Sequence, residues 1–413
     1  MGKAANTGSK LAAKQLPEAL SELALEGGVP PRPGPELSRQ AALLRALLGL
    51  ALLYFFLVGV AGLGEGFNGL GKGALSSVFS ATENPFMGLV IGILATTLVQ
   101  SSSVTTSMVV ALVAAPNSPL PLANAIPIIM GANIGTTVTS TMVALSYAGR
   151  KEEFRRAFAA ATCHDFFNFL AVALLLPLEL ATGFLETSSG WLATAIAGGG
   201  GGVKPPNPVK RLVYASLDPL SSGLNALAPS GRTASVSLLV ISLLLIFVSL
   251  YLLVKTLRSL TGTRLQTYIA RALDTNAWVG LLVGLIVTVM VQSSSITTSI
   301  MVPLAGAGIV TVRQVFPVTL GANVGTTITA LLASMALPPA TAHLGVQIAL
   351  VHLLFNLSGV VLVYPLKLTR EVPIRAAEKL ADMAVRSRVL TLGLVVALFY
   401  GLPALLIWVT RGF

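Results

Sequence analysis

Six apolar stretches of 22 to 27 residues recur along the chain, at about 42–63, 122–147, 158–184, 235–256, 314–336 and 344–366. Each is long enough to cross a ~30 Å hydrocarbon layer as a helix. A seventh, 389–410, lies near the C-terminus. Two more uncharged stretches, 86–115 and 276–308, are too long for a single straight crossing. Thirty residues of helix would reach roughly 45 Å. Each of these two carries Gln-Ser-Ser-Ser at its centre, Gln100 to Ser103 and Gln292 to Ser295. The pattern predicts two half-helices folded back on each other, with the polar tetrapeptide at the tip of a re-entrant hairpin.

A second polar motif sits inside two of the six crossings. Gly131-Ala132-Asn133-Ile134-Gly135-Thr136-Thr137 matches Gly321-Ala322-Asn323-Val324-Gly325-Thr326-Thr327. The glycines loosen a helix, and Pro127 and Pro317 lie just upstream, so both segments read as broken helices. A third pair is His164 to Asn168 against His352 to Asn356. The three pairs fall in one order, at offsets of 192, 190 and 188 residues. That is an internal duplication.

Three crossings per half is an odd number, so the halves have opposite orientation. The expected fold is an all-α polytopic membrane protein built as an inverted-topology repeat, with two re-entrant hairpins and two broken transmembrane helices. Its parts are a mobile cytoplasmic tail (1–40), the first repeat (41–185), an outer connecting loop (186–234) and the second repeat (235–366). A cytoplasmic amphipathic segment (367–388) and an extra C-terminal crossing (389–413) complete it. The Gly198 to Gly202 run and Lys204-Pro205-Pro206-Asn207-Pro208 mark the connecting loop as largely unstructured.

Charge orients the chain. Arg150, Lys151, Arg155 and Arg156 lie on one side, as do Lys255, Arg258, Arg264 and Arg271, and the basic residues of 367–388; the opposing connections 64–85 and 337–343 hold only Lys72. The N-terminus is expected in the cytoplasm and the C-terminus outside, in the plasma (inner) membrane. Among 413 residues, 54% are hydrophobic and 10% charged, which excludes a soluble domain. The net charge of +11 is spread over these loops rather than gathered in a patch, so nucleic acid is excluded as a partner. The single cysteine, Cys163, permits no intramolecular disulfide. Residues 1–40 have no apolar core of a signal peptide, and the first apolar run reads as an uncleaved helix.

The interior of each half offers amides, hydroxyls and backbone but almost no charge. Those are ligands for hard ions. Free N–H groups where a half-helix begins, near Val104 and Ile296, suit an anion. The Gly-Ala-Asn segments beside the tips suit cation coordination, with amide oxygens from Asn133, Asn323, Gln100 and Gln292, and close packing against a neighbouring helix is the alternative reading. Asp165 is the one carboxylate well inside a crossing, where an unpaired charge is costly, and it reads as a cation ligand or a gate. Leu353 takes its place in the second half, so the site is asymmetric. His164 and Asn168 share a helical face, as do His352 and Asn356; for the histidines, helix–helix hydrogen bonding is the favoured role over proton coupling.

The paired Gln-Ser-Ser-Ser tips, the paired Gly-Ala-Asn-x-Gly-Thr-Thr segments and Phe154-Arg155-Arg156-Ala157-Phe158 leading to His164-Asp165-Phe166-Phe167-Asn168 together resemble the type II sodium–phosphate cotransporters over roughly 41–410. The resemblance implies Na+-driven symport of inorganic phosphate, with several Na+ per phosphate and no organic cofactor. It implies phosphate contacts at Gln100, Ser101, Ser102, Ser103, Gln292, Ser293, Ser294 and Ser295. It implies Na+ contacts at Thr326 and Thr329, with Thr136 and Thr139 as their repeat partners. A carboxylate at the position of Asp165 accompanies electrogenic transport in that family. The connecting loop lacks the cysteines and glycosylation acceptors of the animal members, which points to a bacterial-type member. The expected partners are phosphate and the lipid bilayer, and a homodimer is a compatible assembly. The chain is expected not to be an enzyme. Alternative readings are a Na+-coupled carrier of sulfate or arsenate, an intramembrane serine hydrolase, and a passive anion channel.

Overall fold

The computed structural model describes residues 38–70, 81–115, 120–196, 208–261, 276–337, 341–401, 404, 405 and 408. Every regular element among them is helical. Six helices are long and apolar enough to cross a membrane: Gln40–Leu70, Leu122–Leu145, Lys151–Thr182, Gly231–Leu257, Val312–Ser334 and Ala342–Val363. Each covers one of the six stretches expected from hydropathy. Large apolar side chains stand exposed along them, such as Leu43, Leu44 and Leu47 on the first and Val240, Leu244 and Val248 on the fourth. A soluble domain would bury these; a helix facing lipid does not. The chain is a multi-pass membrane protein.

The first half runs α1 (Arg39–Leu70), α2 (Pro85–Val99), α3 (Ser102–Val113), α4 (Leu122–Gly135), α5 (Val138–Leu145) and α6 (Lys151–Thr182). Then come α7 (Phe184–Ile196) and α8 (Pro208–Leu227). The second half runs α9 (Gly231–Thr261), α10 (Ala277–Val291), α11 (Ser294–Gly306), α12 (Val312–Ser334) and α13 (Ala342–Val363), followed by α14 (Lys367–Arg386) and α15 (Arg388–Val396). The tail expected over 1–40 lies almost wholly outside the described residues, as do the Gly198 to Gly202 run and most of the chain beyond Gly401.

The chain around each Gln-Ser-Ser-Ser is two short helices meeting at a sharp turn. Asparagine starts the first helix of each pair: Asn84 accepts from the Phe86 amide at 2.9 Å, and Asn276 accepts from the Val279 amide at 2.9 Å. Glutamine ends it in the left-handed region, at φ 57° for Gln100 and 56° for Gln292. They are the only described non-glycine residues with positive φ, a conformation that costs about 1 kcal/mol or more for an L-residue.

Glycine seams hold these pairs to the long helices. A Cβ on Gly92 or Gly131 would overlap backbone across the α2–α4 contact, and one on Gly284 or Gly321 would do so across α10–α12. The same close approach occurs at Gly135, where a Cβ would lie 2.6 Å from the Ile93 carbonyl oxygen. The motif glycines therefore serve backbone contact rather than unwinding. The expectation of two broken helices holds for one. The first is interrupted between α4 and α5, whereas α12 runs without a break through Gly321 and Gly325. At the first break the Asn133 carbonyl is taken by Asn168 Nδ2 at 2.8 Å, whereas α12 stays helical through its glycines and Pro317.

The connection 186–234 also differs from expectation, since it carries most of α7 and all of α8. Glu179 caps α7 by accepting from the Leu185 and Glu186 amides at 2.5 and 3.2 Å. Tyr54 of α1 ties down α8 through Ser216 Oγ at 2.6 Å and the Leu212 carbonyl at 3.0 Å. The two halves are interwoven. α3 packs on α12 and α13, while α11 packs on α5 and α6. Phe167 of α6 meets Phe316 of α12 edge to face, centroids 6.0 Å apart.

Candidate functional site

The two tips have nearly the same geometry. Ser101 (φ −152°, ψ 108°) caps α3 by accepting from the Val104 amide at 3.4 Å. Ser293 (φ −155°, ψ 111°) caps α11 by accepting from the Ile296 amide at 3.4 Å. Gln100 Nε2 donates to the Thr97 carbonyl at 2.5 Å and Gln292 Nε2 to that of Val289 at 2.6 Å. Both amide oxygens then receive a threonine: Thr139 donates to Gln100 Oε1 at 2.9 Å and Thr329 to Gln292 Oε1 at 3.0 Å. Ser103 Oγ lies 3.5 Å from Thr329 Oγ1, bridging the halves.

The tips meet at one cavity of about 270 Å³, lined by Gln100, Ser101, Ser103, Gln292 and Ser293. Phe247, Leu250, Tyr251 and Val254 of α9 close its side. The first amides of α3 and α11 have no carbonyl partner within their own helices. Together with the helix dipoles they can hold an anion without any cationic side chain. Ser102 and Ser294 are buried behind the tips, and Ser295 is half-buried; none of the three lines this cavity.

Asp165 is buried on α6, 3% exposed, with Thr137 and Thr141 beside its carboxyl. Both hydroxyls lie close enough to act on the carboxyl, but among the described residues neither Asp165 Oδ1 nor Thr141 Oγ1 makes a well-aligned hydrogen bond. A buried carboxylate flanked by two hydroxyls, with no well-aligned bond between them, fits a small hard cation. Thr137 stands at the break between α4 and α5, and Thr141 on the first turn of α5. At the break the Thr137 amide bonds back to the Ile134 carbonyl at 3.4 Å.

Thr136 and Thr326 donate to the Ala132 and Ala322 carbonyls of their own helices, both at 2.9 Å. Each hydroxyl donates there and has accepting capacity beyond that bond. Asn133 and Asn323 are not at the cavity. Their amides are bonded to histidine and asparagine side chains of the opposite half. His164 is thereby engaged with Asn323 at 2.6 Å and pairs with no tip serine.

Two stretches, 55–178 and 244–396, match the sequence model of the Na+/Pi-cotransporter family. Each contains one tip and one Gly-Ala-Asn segment. The chain belongs to the Na+/Pi-cotransporter family. Rat sodium-dependent phosphate transport protein 2A is 36% identical over 446 aligned positions, covering 91% of this chain and 70% of that protein. The mouse 2A protein is 35% identical with the same coverage. Human sodium-dependent phosphate transport protein 2B is 34% identical, over 87% of this chain and 64% of its own length. No solved structure matches the chain.

For this family member, sequence reasoning named both tips, Asp165 and the threonines that hold the tip glutamines. It missed Thr137 and Thr141 beside Asp165, although they stand four apart on one helical face. It also missed the α9 wall. Its signal was Phe247, Leu250, Tyr251 and Val254 at helical spacing, with one phenol in an apolar stretch.

Proposed function

We propose that this chain carries inorganic phosphate into the cell together with Na+, by alternating access. The observation that carries this reading is the meeting of two equivalent helix N-termini at one cavity, in a chain whose relatives are sodium-dependent phosphate transport proteins. Phosphate binds between the tips, held by the first amides of α3 and α11 and by Ser101, Ser103 and Ser293. Na+ binds at Asp165 with Thr137 and Thr141, and further Na+ binds among Gln100, Gln292, Thr136, Thr139, Thr326 and Thr329. The positive charge of Na+ offsets the negative charge of the anion; among the described residues no Lys or Arg lines the cavity. Ser102, Ser294 and Ser295 support the tips from behind.

The α2–α3 and α10–α11 pairs are re-entrant hairpins entering from opposite sides, and the halves form an inverted repeat. The N-terminus is cytoplasmic, the C-terminus outside, and the plasma membrane is the location. Because Asp165 supplies an additional cation site, transport moves net positive charge inward. A homodimer is compatible with this scheme, since all site residues come from one chain.

The experiment is radiolabelled phosphate uptake into liposomes holding the purified protein, under an inward Na+ gradient and under an equal K+ gradient. Concentrative uptake with Na+ alone is the expected result. Equal uptake with both cations would overturn Na+ coupling. Competition by unlabelled sulfate as strong as that by phosphate would overturn the choice of anion.

A further inference from the structure

Each Gly-Ala-Asn asparagine is gripped by the other half. Asn323 of α12 receives His164 Nε2 at 2.6 Å and donates from Nδ2 to Asn168 Oδ1 at 2.7 Å, both partners lying on α6. Asn133 of α4 accepts from Asn356 Nδ2 at 3.2 Å and meets His352 Nε2 at 3.4 Å, both on α13. All six residues are at most 3% exposed. We infer that these residues form a reciprocal clamp that locks α4, α6, α12 and α13 into one rigid body, and that His164, Asn168, His352 and Asn356 are positioning residues for the two tips. The inference rests on the symport reading for what the tips bind.

Backbone carbonyls fix the direction of the network. Asn168 Nδ2 donates to the Asn133 carbonyl at 2.8 Å, an acceptor only, so its Oδ1 must face Asn323. Asn323 therefore offers Nδ2 to Asn168 and Oδ1 to His164, which must donate from Nε2. Likewise Asn133 Nδ2 donates to the Ile129 carbonyl at 3.0 Å, leaving Oδ1 for His352 and Asn356. Both asparagine oxygens are thus turned toward N–H donors, an arrangement that repels a cation. This separates them from Thr136 and Thr326, whose hydroxyls donate to their own helices and face no N–H donor among the described residues.

The clamp reaches the tips by an equal path in each half. Six residues beyond Asn133, Thr139 holds Gln100; six residues beyond Asn323, Thr329 holds Gln292. Fixing the two asparagines relative to each other fixes the spacing of the two glutamines, and so the width of the anion cavity. The Asn168 bond also takes up the Asn133 carbonyl released where α4 breaks, which α12 has no need of.

The test is a double-mutant cycle on the full chain in proteoliposomes, with phosphate KM, kcat and Na+ half-saturation as readouts. His164→Leu and Asn323→Leu are each expected to raise phosphate KM about fivefold with kcat within about twofold, and the double variant to be no worse than the poorer single. His352→Leu and Asn133→Leu should behave alike. His164→Gln, which keeps a donor, should restore KM to near wild type. A shift in Na+ half-saturation on Asn323→Leu that His164→Leu does not reproduce would make the asparagine an ion ligand and overturn the clamp; multiplying effects would do the same. If a leucine variant does not fold, His164→Gln and Asn323→Ala are compared by melting in detergent. Wild-type melting of the first and a clear loss in the second support the clamp, and the reverse overturns it. Wild-type uptake indifferent to Na+ would defeat the symport reading but leave the melting result as a measure of the clamp.

Discussion

Asp165 of α6 lies beside Thr141 of α5, yet among the described residues neither Asp165 Oδ1 nor Thr141 Oγ1 makes a well-aligned hydrogen bond. An unsatisfied buried pair of oxygens costs stability unless something occupies the space between them. Asp165→Asn is expected to raise Na+ half-saturation at least about tenfold and to abolish phosphate-induced current. Thr141→Val should have the same direction and a smaller size. Electrophysiology on the three proteins checks this; unchanged Na+ dependence and current in Asp165→Asn would remove the carboxylate from the ion site.

The left-handed glutamines separate backbone from side-chain roles. Glycine adopts φ near 57° without the Cβ penalty, so Gln100→Gly and Gln292→Gly should hold or raise stability by up to ~1 kcal/mol. Both should still lose phosphate uptake, because Thr139 and Thr329 lose their acceptor. Thermal melting and uptake are measured on the same preparation. Normal uptake with glycine at both tips would show that only the turn, and not the amide, is needed.

The glycine seams predict a sharp contrast among alanine variants. Gly92→Ala, Gly131→Ala, Gly284→Ala and Gly321→Ala each force a Cβ into backbone across a helix pair and should cost about 1–3 kcal/mol or more. Gly149→Ala meets nothing within 4 Å and should be neutral. Yield and melting temperature of the five variants check the order.

Arg313 at the start of α12 hydrogen-bonds Glu371 of α14, and Arg375 lies 3.4 Å from the same carboxylate. The Arg313 bond first, then the charges of both arginines, hold the Glu371 carboxyl below its ordinary 4.5. A carboxyl lowered on folding contributes above its unfolded value and loses that contribution as pH falls through the folded one. The docking of α14 should therefore be unchanged from pH 8 to about pH 5 and loosen only in more acid solution. Amide exchange in α14 against pH measures it, and Glu371→Gln should remove the acid dependence.

Much of the site was legible because its signals are local. A Gln-Ser-Ser-Ser in the middle of an uncharged stretch marks a turn at any depth in the bilayer, whatever packs around it. Asp165 stands out for the same reason, as the carboxylate nearest the middle of a crossing. The glycines of the Gly-Ala-Asn segments were not legible in this way. Glycine is both the weakest ordinary helix former and the smallest side chain, so unwinding and close packing leave the same mark on a sequence. The asparagines were ambiguous too, since an amide oxygen serves a cation or an N–H donor equally well.

The sequence by itself determined the six crossings, the duplication, the two tips and the isolated carboxylate, because hydropathy and motif repetition act residue by residue along the chain. Only the tertiary structure decided that α12 stays whole while α4 and α5 part, that α9 walls the cavity, and that Asn133 and Asn323 turn to the histidines of the opposite half. Those outcomes depend on which groups come within about 3 Å of each other, across separations of 155 to 223 residues in the clamp, and no local pattern records that distance.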